Sequence, residues 1–389
     1  MVKTGLDILA AGGFAPLRGK RFGVLCHQAS VNRDGVHIID LMSQSGILPD
    51  IIFAPEHGLF PVAQDQQDVA HWRHPKYKIP VHSLYGAKFE SLYPPPDIMR
   101  RLDAVLVDLF DVGARYYTFV WTAAMVLEVA AKTDTRIIIA DRPNPIRGDV
   151  IEGPVQEEGF FSFVGLYPLP IRHGLTIAEI LAYVNRFYEI GADVEVIKLS
   201  GWHRDMWFDG TGLLWVMPSP NMPSLTTAIV YPGMCLFEGT NVSEGRGTTR
   251  PFEIFGAPFV DPYELTEFAA GFGIPGAVLR PMYFVPTFGK YAGQLCAGAQ
   301  IHITDRDRFR PVWTALVLLH SLIALYPHEF KFRAPPYEFE TQKLPIDILF
   351  GSDRWRKMLI AGADPREIYE MMSQQSEKFR REIEEFYLY

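Results

Sequence analysis

The sequence predicts an α/β protein. A Rossmann-like, doubly wound and mostly parallel sheet is expected over residues 1–225, and a smaller α+β domain over 226–389 that closes a cleft against it. Three observations carry this. Short apolar runs alternate with helical patterns through the first half, as in a parallel sheet covered on both faces. Near residue 225 the pattern breaks into Gly- and Pro-rich stretches followed by helix-like segments. A chain of 389 residues also exceeds what one hydrophobic core ordinarily holds.

Taken in order, "RFGVLCHQA", "DIIFAPEHG", "DAVLVDLFD", "RIIIADRPNP" and "DVEVIKLSG" predict strands, because each is a brief continuous apolar run. Between them "VHIIDLMSQSG", "TFVWTAAMVLEVAAK" and "TIAEILAYVNRFYEIG" space their apolar residues as a helix does. A polar, Gly-rich crossover follows, "YPGMCLFEGTNVSEGRGTTRPFEIFGAPFVDP". Helices are then expected at "DPYELTEFAAGF", "DRDRFRPVWTALVLLHSLIALYP", "DPREIYEMMSQQ" and "EKFRREIEEFY", with a strand at "QLCAGAQIHITD".

Composition narrows the function. Hydrophobic residues at 48% and charged residues at 21% describe a globular chain rather than a disordered one. A net charge of −8 with no Lys/Arg block offers no electrostatic footprint for nucleic acid or an anionic membrane. Cys26, Cys235 and Cys296 lie far apart without a CxxC spacing and read as small buried hydrophobes. Asp7 interrupts the only apolar stretch of the N-terminus, and no run approaches a bilayer span. The expectation is a cytoplasmic protein, or a periplasmic or secreted one had a leader been removed. Oligomeric state leaves no signature.

Each of the first four predicted strands ends in polar groups. These are His27 and Gln28; Glu56 and His57; Asp108 and Asp111, then Arg115, Tyr116 and Tyr117; and Asp141, Arg142 and Asn144. In a parallel sheet these carboxyl ends share one edge, outside which ligands bind. A structural reading stands beside the functional one. Asp108 and Asp141 could cap the helices that follow, and Arg142 could pair with either. Glu56 differs, since Pro55 before it and Gly58 after it leave little helix to cap.

No GxGxxG follows the first strand, and neither GxxxxGK[ST] nor GxSxG occurs, so a nucleotide cofactor and an esterase-type elbow are disfavoured. "HWRH" (His71, His74) is broken by Pro75 and reads as a solvated or packed pair rather than a metal site. Residues 238–253, "EGTNVSEGRGTTRPFE", form the densest polar stretch: Glu238, Asn241, Glu244, Arg246, Arg250 and Glu253 amid glycines and hydroxyls. An ordinary linker lacks such paired Arg and Glu, though a crossover knitted by its own ion pairs would have them. Arg172, His173, Asn221 and Lys290 lie in further loops flanked by Pro or Gly.

These groups suit a polar, anionic ligand. Arg forks match a carboxylate with two parallel hydrogen bonds, and carboxyl pairs are the equipment of glycoside hydrolysis. Glu56 beside a proline in a partly apolar cleft could have its proton affinity raised enough to act as an acid. The residues alone thus indicate a sugar-like or phosphorylated anionic ligand.

"APEHG", "DVGARYYTF", "DRPNP", "FVGLYPLPIRHG", "PSPNMP", "YPGMCLFEGTNVSEGRGTTRPFE", "PTFGKYAG" and "TDRDRFRP", in order over nearly the whole chain, resemble the peptidoglycan exo-β-N-acetylmuramidases, formerly a family of unknown function. The resemblance implies a Rossmann-like domain, a smaller C-terminal domain and a cleft site between them. It implies release of N-acetylmuramic acid from the non-reducing end of cell-wall fragments, with Glu56 as the catalytic glutamate and no cofactor. His57 would orient it, and Asp108, Asp111 or Glu244 would be the second carboxylate. The lactyl carboxylate calls for an arginine: Arg246 or Arg250 first, then Arg115 or Arg172. Two rivals remain, a metal-dependent hydrolase using His27, His57 and Asp108, and a non-catalytic binder of an anionic sugar. Retention or inversion depends on the carboxyl separation, which the sequence does not give.

Overall fold

The computed structural model describes residues 1–60 and 72–389, and the statements below concern those. Its strands are β1 Phe22–Cys26, β2 Ile51–Ala54, β3 Trp72–Arg73, β4 Pro80–Ser83, β5 Ala104–Asp108, β6 Arg136–Ala140, β7 Glu152–Val155, β8 Pro170–Arg172, β9 Val194–Ile197, β10 Ile254–Ala257, β11 Ala277–Phe284 and β12 Cys296–Ile303. The main sheet runs β3-β4-β2-β1-β5-β6-β9. All its pairs are parallel except β3 with β4. The five expected strands are all in it.

Period-2 side-chain alternation splits each strand between two cores. Val24, Ile52, Leu106 and Ile138 face one core with Leu6, Leu9, Ile38 and Met42 from the helices Gly5–Ala11 and Ile38–Gln44. Leu25, Phe53, Val105, Val107, Ile137 and Ile139 face the other, with the helices Phe119–Ala131 and Ile177–Phe187. That second core continues without a break into the C-terminal half. Covering both faces is what makes the runs apolar throughout, and a sheet wound from both sides is the doubly wound arrangement.

The C-terminal half carries a three-stranded antiparallel sheet, β10-β12-β11. Of these only β12 was expected, because β10 and β11 are interrupted by Gly and Pro. The two expected C-terminal helices are one, Pro365–Ile383, started by Asp364, whose side chain accepts from Arg366 N. The helices Leu225–Met234 and Pro311–Leu325 pack closely where Gly233 removes a side chain. A Cβ there would lie 1.9 Å from the Pro311 carbonyl oxygen.

Side chain-to-backbone bonds tie the halves together. Glu152 on β7 accepts from Val312 N at 3.0 Å and Trp313 N at 3.1 Å, capping the helix Pro311–Leu325 from outside. Ser376 donates to Gly153 O at 2.6 Å, and Arg115 reaches Leu349 O. No helix among the described residues is long and apolar enough to cross a membrane.

Candidate active site

Glu56 follows β2 directly. Pro55 ends the strand, and a turn closes with Gly58 N donating to Pro55 O at 3.0 Å. His57 takes φ 68° and Gly58 φ 85°, so the chain reverses sharply and leaves Glu56 at the carboxyl edge of the sheet. Glu56 is only 6% exposed. The Thr118 hydroxyl, at the start of the helix Phe119–Ala131, donates to its Oε2 at 2.7 Å.

Glu56 and His57 line an inner cavity of about 60 Å³ together with Tyr116, Tyr117, Thr118, Asn221, Glu238, Arg246, Tyr337 and Glu338. This is room for only a few water molecules. An outer cavity of about 600 Å³ adjoins it, lined by Asn241, Glu244, Lys290, Tyr291 and Arg333. Glu238, Arg246, Tyr337 and Glu338 belong to both and form the shared wall. The cleft therefore takes Glu56 from the first half and Glu238 from the second.

The wall is an alternating chain of charge. Arg246 Nη2 lies 2.7 Å from Glu238 Oε1, and its Nε 3.4 Å from Glu244 Oε1. Lys290 Nζ donates to Glu244 Oε2 at 2.8 Å and to the carbonyls of Phe237 and Val242 at 2.7 and 3.0 Å. The Tyr337 hydroxyl donates to Glu238 Oε2 at 2.7 Å. Burial works against charge on Glu244, but Lys290 and Arg246 outweigh it and hold the carboxyl below its ordinary range. A carboxylate so fully paired is a poor proton donor. Aromatic rings brace the inner cavity: Tyr117 meets Phe119 at 4.9 Å and Tyr231 at 5.9 Å, and Tyr231 meets Phe252 at 4.8 Å. Burial pushes the Tyr117 phenol well up, with the charges of Asp111 and Glu56 adding to it.

The structure brings together Glu56, His57, Tyr116, Tyr117, Asn221, Glu238, Asn241, Glu244, Arg246 and Lys290 in these cavities. It places the other expected site residues elsewhere. Asp108 is fully buried in a two-pronged ion pair with Arg142, which also donates to Val31 O at 2.9 Å. Burial pushes the Asp108 carboxyl up, and Arg142 pulls it only partly back. Asp111 accepts from Gly113 N at 2.7 Å and lies 3.3 Å from His173 Nε2. The other nitrogen of His173 accepts from Leu175 N at 3.1 Å.

His27 Nε2 accepts from Phe110 N at 2.9 Å, and burial together with Arg142 holds the ring well below its ordinary range. Gln28 donates to Met217 O. Asn144 bridges Leu175 O and Ile146 N. Arg115 spends its guanidinium on the carbonyls of Pro154, Leu169 and Leu349, and Arg172 donates to Ile146 O. Arg250 is half exposed beside Glu253 at 3.4 Å. Apart from Arg250, these residues bond to backbone groups and charges where loops crowd the sheet edge, an accounting buried polar groups must meet.

Sequence reasoning missed Thr118, Ser219, Arg333, Tyr337 and Glu338. Thr118 carried a signal, standing directly after the Tyr116-Tyr117 pair at a helix start. The 333–338 segment carried none. Of the "HWRH" pair, His71 lies outside the described residues. His74 is buried against Tyr77, whose backbone N–H it accepts at 3.3 Å. No cluster of three or more His, Cys, Asp or Glu among the described residues could hold a metal ion.

Comparison with known proteins also divides the chain in two. Residues 22–226 match the family model "Exo-beta-N-acetylmuramidase NamZ, N-terminal", and residues 229–389 match its C-terminal counterpart. The chain belongs to the NamZ exo-β-N-acetylmuramidase family. A curated member, the peptidoglycan β-N-acetylmuramidase NamZ of Bacillus subtilis (strain 168), is 42% identical over 335 residues, covering 85% of this chain and 80% of that protein. Two crystal structures of DUF1343 family proteins from Bacteroides fragilis are similar in fold to this chain. One has a TM-score of 0.89 at 28% identity, the other 0.79 at 26%, each covering 100% of this chain and 99% of the other.

Proposed function

We propose that this chain is an exo-acting β-N-acetylmuramidase that releases N-acetylmuramic acid from the non-reducing end of peptidoglycan fragments, with Glu56 as the general acid. The observation that carries this is the meeting of Glu56 with Glu238 in the lining of one cavity, each carboxyl supplied by a different half of the chain. Glu56 delivers a proton to the leaving glycosidic oxygen. Glu238, held by Arg246 and Tyr337, serves as the base or nucleophile. This moves the second carboxylate from Asp108, Asp111 or Glu244 to Glu238, because Glu238 alone of the four lines the inner cavity. Thr118 orients Glu56 through its hydroxyl, and we assign His57 the same task. The inner cavity is too small for an acetylated amino sugar, so the sugar spans the shared wall into the outer one. No cofactor is called on.

The test is a chromogenic β-glycoside of N-acetylmuramic acid, with the N-acetylglucosamine analogue as control. Wild-type protein cleaves the first and not the second. Glu56→Gln lowers turnover by roughly 10²- to 10⁴-fold with an unchanged melting temperature. A normal rate in that variant removes Glu56 from the mechanism, and cleavage of neither glycoside by the wild type removes the function.

A further inference from the structure

An enzyme that selects a sugar carrying a lactyl ether must meet its carboxylate with positive charge. The cations facing the outer cavity are Arg246, Lys290 and Arg333. Arg246 is committed to Glu238 and Glu244. Lys290 is committed to Glu244 and two carbonyls. Arg333 is different: among the described residues its guanidinium has no carboxylate partner and donates no hydrogen bond to the protein, and the side chain is exposed at the cavity.

Its backbone is nonetheless fixed. Arg333 N donates to Gly239 O at 2.8 Å. Phe332 bridges Thr240, and Asn241 clasps the preceding residues: its N donates to Lys331 O at 2.9 Å, its Oδ1 accepts from Lys331 N at 2.9 Å, and its Nδ2 donates to Glu329 O at 2.8 Å. The strap bearing Arg333 is thus stitched to the stretch that supplies Glu238. A guanidinium whose backbone is anchored beside the shared wall, with its five donors unspent, is a receptor for a planar anion.

We infer that Arg333 binds the lactyl carboxylate of the N-acetylmuramoyl residue and so sets specificity for muramic acid over glucosamine. This rests on the muramidase reading above. Asn241 positions the strap. A carboxylate farther along a stem peptide has the same chemistry but a different reach, and the assay separates the two.

The experiment compares wild type, Arg333→Gln and Arg333→Lys on three substrates: the N-acetylmuramic acid β-glycoside, its lactyl carboxamide, and the glycoside with a dipeptide on the lactyl group. In Arg333→Gln the KM for the free acid rises roughly ten- to hundred-fold, the scale of losing a charged hydrogen-bonded contact. The kcat changes little and the carboxamide is unaffected, so acid and amide become equivalent. Arg333→Lys recovers part of the difference. A rise confined to the dipeptide substrate, equal effects on acid and carboxamide, or no change would each overturn the assignment. If the wild type cleaves none of the three, the function has failed rather than Arg333. Calorimetry with free N-acetylmuramic acid then decides, and equal affinity in wild type and Arg333→Gln would overturn the proposal.

Discussion

Replacing Asp108 by Asn separates scaffolding from chemistry at the sheet edge. Asp108 has no exposed surface and Arg142 is 7% exposed, so the pair is shielded from water. Asn keeps the shape and one acceptor but removes the charge, leaving a guanidinium buried without its counterion. Breaking such a pair on one side costs about 3–5 kcal/mol. With an unfolding entropy of about 2.1 cal/mol/K per residue over the whole chain, roughly 0.8 kcal/mol/K, the melting temperature should fall by about 4–6 °C. Differential scanning fluorimetry reads this directly, and kcat/KM at 25 °C on the folded protein should stay within a few-fold of wild type. Asp108→Asn combined with Arg142→Met removes both charges and should recover most of the loss. An unchanged melting temperature with turnover down by orders of magnitude would return Asp108 to the catalytic machinery and refute the argument from burial.

Glu238→Gln should lower kcat by at least roughly 10²-fold, whereas Glu338→Gln should cost less than about ten-fold; the reverse order in steady-state assays would exchange their roles. Asp141 gives a pH signature. Burial, reinforced by the charge of Glu179, pushes its carboxyl from the ordinary 3.8 to about 7. At low pH folded and unfolded chains both carry this proton. As pH rises from about 4 to about 7 the unfolded chain releases it while the folded one retains it, so stability falls across that window and levels off above it. Asp141→Asn can still accept from Ala178 N and meet the Tyr389 hydroxyl, and should flatten that slope in melting curves from pH 4 to 8. An unaltered slope would assign the pH dependence to other groups.

The strands were legible because a sheet covered on both faces needs no alternation, and "RIIIA" or "AVLVD" has no other economical reading. Short β4 was not, since "PVHS" lacks the apolar density of its neighbour β2 and is held by pairing with it. Glu56 was legible for a local reason: a proline and a glycine fix the turn around it. The 238–253 stretch was legible as polar and dense, but only the fold divides it. Glu238 and Arg246 turn into the cleft, while Arg250 stays with Glu253 outside. His27, Asp108, Arg115, Arg142, Asn144 and Arg172 show the limit. Strand-end chemistry identifies the edge where a ligand can bind. It does not say which side chains face that ligand and which close the bonds of neighbouring loops, because both tasks recruit the same residue types. Arg333 escaped notice because one arginine in a Pro-rich segment carries no pattern. Its meaning comes from what the other two cations are already bound to.

The two family models meet at residues 226 and 229, a place where a gene could be cut in two on paper. The solid object has no matching seam. Sever the chain there and the amino half carries Glu152 with no Val312 and Trp313 amides to receive, and Arg115 loses Leu349. The carboxy half inherits a helix start without its cap and a cavity wall without Glu56. Neither piece is a smaller enzyme; together they are two parts of a clasp.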